Sequence, residues 1–489
     1  MHEEPTTITE RIAANPRPAL VWLAVFLALF ALEAGALIQG VIVLVERIIV
    51  LLPTEAGLSA VTGAKQAAAE IPTLISREVI PNYGYRTPDG AWVNTFPENL
   101  PYVDSGLEPK WAWLIRNVLA FGYAAALLGW ILHGYNVFRR EYREADWTPR
   151  DDALGRFRRH TWGKAGFVVV FLFITMAVFA PTLGPTTVDR NIVQPYSYEL
   201  TYLNEETGEL DTVTVGTANT ESRSAGAGDQ NFGPWSYDNY DRFHPFGTLP
   251  QGTDLYTFMA SGARVSLFIG LLSIAISGTL AATFAMISAY YKGLVDLALV
   301  VTGDSIMSIP QLLLLILLSA VFAGHWLGEI YSGGLLLALI FGFSTWPFLW
   351  RAVRGPALQV STEEWVDAAR SYGQTPRKTM TKHMLPYVIG YLMVYASLFI
   401  GGIIITTSAL SFLGGGLGVN SPTPEWGRAI AAGQDYVATQ SWHVALIPGV
   451  LIVLVVTGFN AFGDGIRDAI DPESEAGEGE TEIVGGGAG

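Results

Sequence analysis

The sequence predicts an all-α integral membrane protein, with six closely spaced spans in its C-terminal two-thirds and two additional spans before them. Three observations carry this. Half of the 489 residues are hydrophobic and only 15% are charged, too apolar for a soluble chain of this length. The apolar residues gather into runs of the roughly 20 residues a helix needs to cross a bilayer. Lys and Arg lie between the runs and are shared unequally among those intervals, which is the signature of a fixed topology.

The first span is expected at 18–44 and is the least regular: Glu33 lies inside it, and Glu46-Arg47 interrupts an apolar run that continues to Leu52. That run is far longer than the core of a cleaved signal and has no small-residue cleavage site behind a short core, so it reads as a retained anchor. Further spans are expected near 112–137, 165–184, 264–289, 295–322, 333–352, 387–410 and 442–463. Glu33 reads as a contact to another helix or a lipid headgroup. Asp304, several turns into the fifth span and followed by Pro310, is a candidate for the translocation path, because an ionisable group at depth usually faces a cavity or a partner; a structural hydrogen bond is the alternative. Arg351 and Arg354 close the sixth span and read as interfacial anchors. Trp111, Trp113, Trp346, Trp350 and Trp442, near span ends, read as an aromatic belt.

Orientation follows from the basic residues. Residues 139–164 hold eight Lys or Arg and residues 353–385 hold five, whereas 185–258 holds eleven acids and three Arg. The first two segments are therefore expected in the cytoplasm and the third outside, with both termini inside. The expected divisions are an N-terminal extension at 1–160 with two spans and a basic linker, a first core span at 161–184, an extracellular acidic segment at 185–258, a five-span core at 259–470 with a cytoplasmic loop at 353–386, and a disordered acidic tail at 471–489. Inside the acidic segment, Tyr196–Leu203 and Leu210–Val215 alternate around Asn204-Glu205-Glu206-Thr207-Gly208 and read as a β-hairpin.

Composition excludes several functions. Cys is absent, so there is no disulfide framework, thiolate metal site or cysteine nucleophile. His244 and His443 are isolated and read as structural, and no metal site or cofactor is expected. The net charge of −15 argues against nucleic acid as a partner. Six Lys against 23 Arg, beside abundant carboxylates, fits a halophile, in which an acidic surface stays hydrated and charge repulsion is screened. No G-x-x-x-x-G-K-[ST] phosphate loop occurs; Gly414-Gly415-Gly416 lacks the Lys and reads as the turn after a span.

The most informative stretch is Ser361–Pro386. Ser361-Thr362-Glu363-Glu364 fits a capping box with Glu364 at its third position, opening a short helix to Tyr372. On it Trp365, Ala369 and Tyr372 share a face, with Ala368 beside them. Gly373 fits a left-handed helix stop, and Thr375-Pro376 fits the start of a second helix ending by Pro386. Two short helices held between membrane spans, showing aromatic and small side chains, read as a docking knob for a cytoplasmic partner.

These residues resemble a known family. Asp367-Ala368-Ala369, Gly373, His383 and Leu385-Pro386 match the spacing of the E-A-A-x3-G-x9-I-x-L-P loop of ABC-importer permeases, with Asp for Glu and His for Ile. The His form is similar to the dipeptide/oligopeptide branch. His244-Pro245-Phe246-Gly247-Thr248, Gly252, Asp254 and Gly262–Leu267 resemble the segment before that family's second core span. Ser411-Phe412-Leu413-Gly414, Pro422–Gly427 and Asn460–Asp468 resemble its last outer loop and C-terminal end. The resemblance spans 161–472, about two-thirds of the chain. It implies a type I ABC-importer permease core in the cell membrane, in which Glu364, Trp365, Asp367, Ala368, Ala369, Tyr372, Gly373, Pro376, His383, Leu385 and Pro386 form the ATPase-coupling loop. It also implies partners: two ATP-binding cassette subunits, a second homologous permease, an extracellular substrate-binding protein and membrane lipid. Di- or oligopeptides are the implied cargo, with nickel complexes or sugars as alternatives. A membrane enzyme would need a convergent acid–base or metal cluster, which the sequence does not offer; an ion-coupled transporter would need several buried carboxylates, and the sequence has few, which leaves it as the lesser alternative.

Overall fold

The computed structural model describes residues 7–36, 71–94 and 106–470, except 72, 78, 146, 229 and 323, together with positions 38, 42, 63 and 64. The predicted tail at 471–489 and much of the far end of the first expected span lie outside the described residues. In chain order the helices are α1 (Ile8–Ala14), α2 (Pro16–Leu32), α3 (Pro109–Glu141), α4 (Pro149–Arg159), α5 (Thr161–Val178), α6 (Val215–Glu221) and α7 (Leu255–Tyr291). They continue as α8 (Gly293–Met307), α9 (Gln311–Val321), α10 (Gly334–Val360), α11 (Glu364–Ser371), α12 (Pro376–Leu413), α13 (Trp426–Gly433) and α14 (His443–Ile470). Six described helices are long and apolar enough to cross a bilayer, and two bent pairs raise the number to eight if each is one span. That agrees with the eight runs expected.

Contacts divide the chain into two units. One comprises Met1–Thr148, Thr175–Ala260 and Thr439–His443; the other comprises Pro149–Ile174, Ser261–Ala438 and Val444–Gly489. The residues before 149 thus group with the polar segment that follows Thr175, a different division from the break expected at residue 160.

The first unit is held by α3. Its buried face carries Trp113, Arg116, Asn117, Ala120 and Tyr123, which pack with Phe179, Leu183, Phe243 and Tyr256. Arg116 is fully buried and donates to the Gly184 carbonyl at 2.8 Å. Asn117 Nδ2 donates to Leu183 at 3.2 Å, and the Tyr256 hydroxyl donates to Asn117 Oδ1. Trp113 is therefore a core residue, ringed by Trp235, Phe243 and Tyr256, and does not belong to an interfacial belt. Against α3 lies α2, joined by reciprocal bonds: Trp22 Nε1 donates to the Trp130 carbonyl at 3.0 Å and Trp130 Nε1 to that of Trp22 at 3.1 Å. Glu33, at the end of α2, is fully buried and accepts from the Ile75 amide at 3.0 Å. The hairpin expected in the acidic segment forms as β3 (Glu199–Asn204) and β4 (Glu209–Thr214), after a smaller one of β1 (Gly84–Arg86) and β2 (Trp92–Asn94).

The second unit has its core where α7, α10 and α12 meet. Trp346 and Trp350 of α10 are buried among Ala281, Ala285, Ala289 and Val353, so they too are core residues. The expected fifth span is broken: α8 and α9 meet at a 76° bend, where Pro310 lacks an amide hydrogen and restricts the residue before it. Helices α5 and α14 approach through glycines. A Cβ on Gly166 would lie 2.4 Å from the Phe462 amide nitrogen and one on Gly163 2.7 Å from Gly465, the small-residue contact common between membrane helices. Arg156 of α4 donates twice to the Ala469 carbonyl, at 3.0 and 2.6 Å. Before α13, Glu425 is fully buried and accepts from Gly427 N at 2.7 Å and Ser408 Oγ at 2.7 Å.

Candidate coupling loop and membrane path

The loop begins where α10 stops. The Ser361 hydroxyl donates to the Leu358 carbonyl at 2.7 Å and the Thr362 hydroxyl to that of Gln359 at 2.8 Å. Both hydroxyls serve the last carbonyls of α10, so the expected capping box of Ser361 and Glu364 does not form. Instead α11 starts two residues later than expected, with extended Glu363 (φ −73, ψ 143) as N-cap and no side-chain bond. The reason is that the preceding helix persists to Val360 and takes Ser361 as its own C-cap.

One face of α11 is anchored. Val366 is fully buried and Ala369 is 9% exposed. Val366 joins Trp350, Val353, Ala357, Val360, Met384 and Val388 in one apolar cluster. The Arg370 guanidinium stacks 4.3 Å from the centre of the Tyr290 ring, at the end of α7. Helix α11 is thus seated on residues of α7, α10 and α12. This corrects the predicted face: Ala369 points inward with Val366, and Trp365 and Tyr372 do not share its side. Trp365 is 52% exposed and Tyr372 is 92% exposed, with Glu364, Asp367 and Ala368 exposed beside them.

The stop at Gly373 is a Schellman motif. Gly373 N–H donates to the Arg370 carbonyl at 2.9 Å and Gln374 N–H to that of Ala369 at 3.1 Å, the paired bonds that close a helix end. Gly373 has φ +76, which a side chain resists. Pro376 opens α12 as expected, although Thr375 makes no side-chain cap. The second helix does not end by Pro386. It continues to Leu413 and widens to a π-turn over Met380–Met384. Pro386 has no amide hydrogen for the Lys382 carbonyl, and Leu385 N–H reaches back to Met380, a local answer to a proline inside a helix. His383 lies half-buried in that turn, beside half-buried Leu385 and exposed Pro386.

Asp304 forms an ion pair with Arg351, each about half exposed (49% and 50%). Asp296 pairs with Arg354, whose Nε donates at 2.8 Å. The two arginines therefore tie α10 to α8, a role different from interfacial anchoring. A hollow of about 160 Å³ lies between α9, α10 and α12, lined by Gln311, Phe341, Thr345, Phe348, Phe399 and Thr406 among others. Asp304 is not part of its wall. The sequence reading passed over Gln311, Thr345 and Thr406; their signal is polar side chains inside apolar runs.

In the first unit His244 is not isolated. Its Nδ1 lies 2.9 Å from Asp254 and its Nε2 3.2 Å from Asp238, and Arg242 Nε donates to Asp238 at 2.7 Å. Burial disfavours the charged imidazole, but the Asp238 and Asp254 carboxylates more than offset it, so the His244 pKa is raised. Burial likewise works against the Asp238 charge, and Arg242 with His244 overcomes it, holding that carboxyl far below its usual range. Among the described residues no group of three His, Asp or Glu could hold a metal ion.

Comparison with known proteins places two family profiles on this chain: "Binding-protein-dependent transport system inner membrane component" over residues 278–475, and "N-terminal TM domain of oligopeptide transport permease C" over residues 148–204. The chain is 35% identical over 231 residues to the "Probable D,D-dipeptide transport system permease protein DdpC" of Escherichia coli, covering 47% of this chain and 74% of that protein. It is 33% identical over 253 residues to the "Oligopeptide transport system permease protein OppC" of Haemophilus influenzae, covering 50% and 78%. To the "Dipeptide transport system permease protein DppC" of Alkalihalophilus pseudofirmus it is 28% identical over 329 residues, covering 67% and 91%. The coupling-loop stretch and the spans on either side of it all fall within the first profile.

Proposed function

We propose that this chain, which belongs to the family of binding-protein-dependent transport system inner membrane components and is the permease subunit of an ABC importer, carries di- or oligopeptides across the cell membrane. The peptide cargo is taken from relatives whose names specify dipeptide or oligopeptide transport. In this reading two ATPase subunits, a second permease and an extracellular binding protein complete the assembly. The loop 353–386 and both termini face the cytoplasm, and the acidic segment 185–258 faces outward.

The observation that carries the mechanism is the two-sided character of α11. Its inner side, Val366 and Ala369, is buried, with Val366 packed into the core of the spans. Its outer side offers Trp365 and Tyr372 as anchors, with Ala368 leaving room for close approach. A groove on an ATPase subunit that moves on ATP binding would pull α11. Because α11 is seated on α7, α10 and α12, the pull reaches the spans around the Gln311–Thr345–Thr406 hollow. Gly373 and Pro376 hold the angle between α11 and α12, as a lever needs if nucleotide is to favour one conformation over the other. Asp304 and Arg351 act as a strut between α8 and α10 beside the path.

The test is uptake of a labelled dipeptide by proteoliposomes holding the whole assembly. ATP-dependent accumulation is expected. Uptake by this chain without any ATPase subunit would defeat the proposal, and accumulation of a nickel complex or sugar in place of peptide would replace its cargo.

A further inference from the structure

We infer that the first unit contains a binding site for a small carboxylate, centred on Arg190. A cavity of about 210 Å³ lies against β1, β2 and β3, lined by Asn82, Tyr83, Trp92, Arg190, Arg242 and Asp241 among others. All of these residues belong to the first unit.

Most charges around this cavity are matched; among the described residues Arg190 and Glu199 of its lining make no ion pair. Arg242 is neutralised by Asp238, at 2.7 Å, and also donates to Asn219 Oδ1 at 2.7 Å. Asp254 is held by His244 at 2.9 Å and by Thr257 at 2.6 and 2.7 Å. Asp241 lies 3.5 Å from Arg86, and the Asp189 carboxylate accepts from the Tyr198 hydroxyl. Arg190 differs. Its guanidinium stacks 4.4 Å from the centre of the Tyr83 ring and gives one bond, Nη2 to the Glu199 carbonyl at 2.6 Å. Among the described residues no carboxylate lies within ion-pair distance of it. A half-buried guanidinium without a counter-ion is costly, and its remaining N–H groups are charge-assisted donors suited to a carboxylate.

Two further groups give the site its second specification. Asn82 is 6% exposed; its Nδ2 donates to Pro185 at 2.8 Å while its Oδ1 has no partner among the described residues. Trp92 is 8% exposed, and its indole N–H has no partner among the described residues. Buried polar atoms are rarely left so. An unmatched cation, a free acceptor and a free donor around one cavity fit a small molecule that has a carboxylate beside an N–H group, the chemistry of an amino acid or short peptide. The inference does not depend on the identity of the transported cargo.

The experiment uses the full-length chain in nanodiscs, without ATPase, and calorimetric titration with three probes: alanyl-alanine, N-acetylalanine and alaninamide. The two carboxylates should bind and alaninamide should not. Arg190→Gln should weaken alanyl-alanine binding at least tenfold, Arg190→Lys should weaken it less, and Trp92→Phe should weaken it severalfold. Removing an unmatched charge should leave the unfolding temperature of the free protein unchanged or raised, which separates a lost site from a lost fold. Absence of heat with every probe, equal binding of alaninamide, or wild-type affinity in Arg190→Gln would overturn the assignment.

Discussion

A Cβ at Gly373 would meet nothing within 4 Å, so the residue is required for its φ of +76 and not for space. Gly373→Val must therefore act on the angle after α11. A left-handed β-branched residue costs about 1–2 kcal/mol, enough to shift the loop but too little to unfold a membrane bundle. We expect Gly373→Val to insert normally and keep ATPase activity in the assembly while losing most peptide uptake, measured as the ratio of transport to hydrolysis; an unchanged ratio contradicts the lever. His244 gives a pH prediction. Its folded pKa is raised above the unfolded 6.5, so the stability it contributes is complete below that value and is lost as pH climbs through the raised one. Asp238 works in the opposite sense, contributing above its unfolded pKa and losing it only in strong acid. His244→Gln should destabilise the first unit by about 3 kcal/mol, as expected for a broken buried pair. The loss should be larger at pH 6 than at pH 9 in melts followed by tryptophan fluorescence.

At the scale of elements, the two sides of α11 should separate stability from coupling. Val366→Ala removes buried methyl groups from the cluster around Trp350 and should cost about 2 kcal/mol. Trp365→Ala and Tyr372→Ala remove exposed rings and should leave melting unchanged while abolishing co-purification with the ATPase subunits. If Trp365→Ala and Tyr372→Ala co-purify normally, the outward face is not the docking surface. Much of this element was legible in the sequence: the Asp367–Pro386 pattern located it, Gly373 its stop and Pro376 the start of α12. Its start and inner face were not, because a capping box reads only four residues. Those same hydroxyls can close a preceding helix when that helix has apolar contacts keeping it wound to Val360. The same limit explains the tryptophans. Position near a span end predicts an interfacial ring, but Trp346 and Trp350 find a wall of small residues, Ala281, Ala285 and Ala289, that only the fold brings opposite them. Run length and hairpin alternation were sufficient for the spans and for β3–β4 because both signals are local.

At the scale of the whole molecule, the proposed topology is open to a chemical test, and the chain is suited to one because it has no cysteine. Tyr372 is 92% exposed, and Glu206, at the turn between β3 and β4, is exposed. Neither side chain is needed to hold its neighbours, so Tyr372→Cys and Glu206→Cys each introduce a single accessible thiol at little structural cost. The proposed topology puts residue 372 inside, with the basic loops around 139–164 and 353–385, and residue 206 outside. A membrane-impermeant maleimide applied to intact right-side-out vesicles should label Glu206→Cys alone. Tyr372→Cys should become reactive only after permeabilisation. Labelling of residue 372 in sealed vesicles would put α11 on the side where no ATP is available, and the force it is proposed to transmit would then have no source.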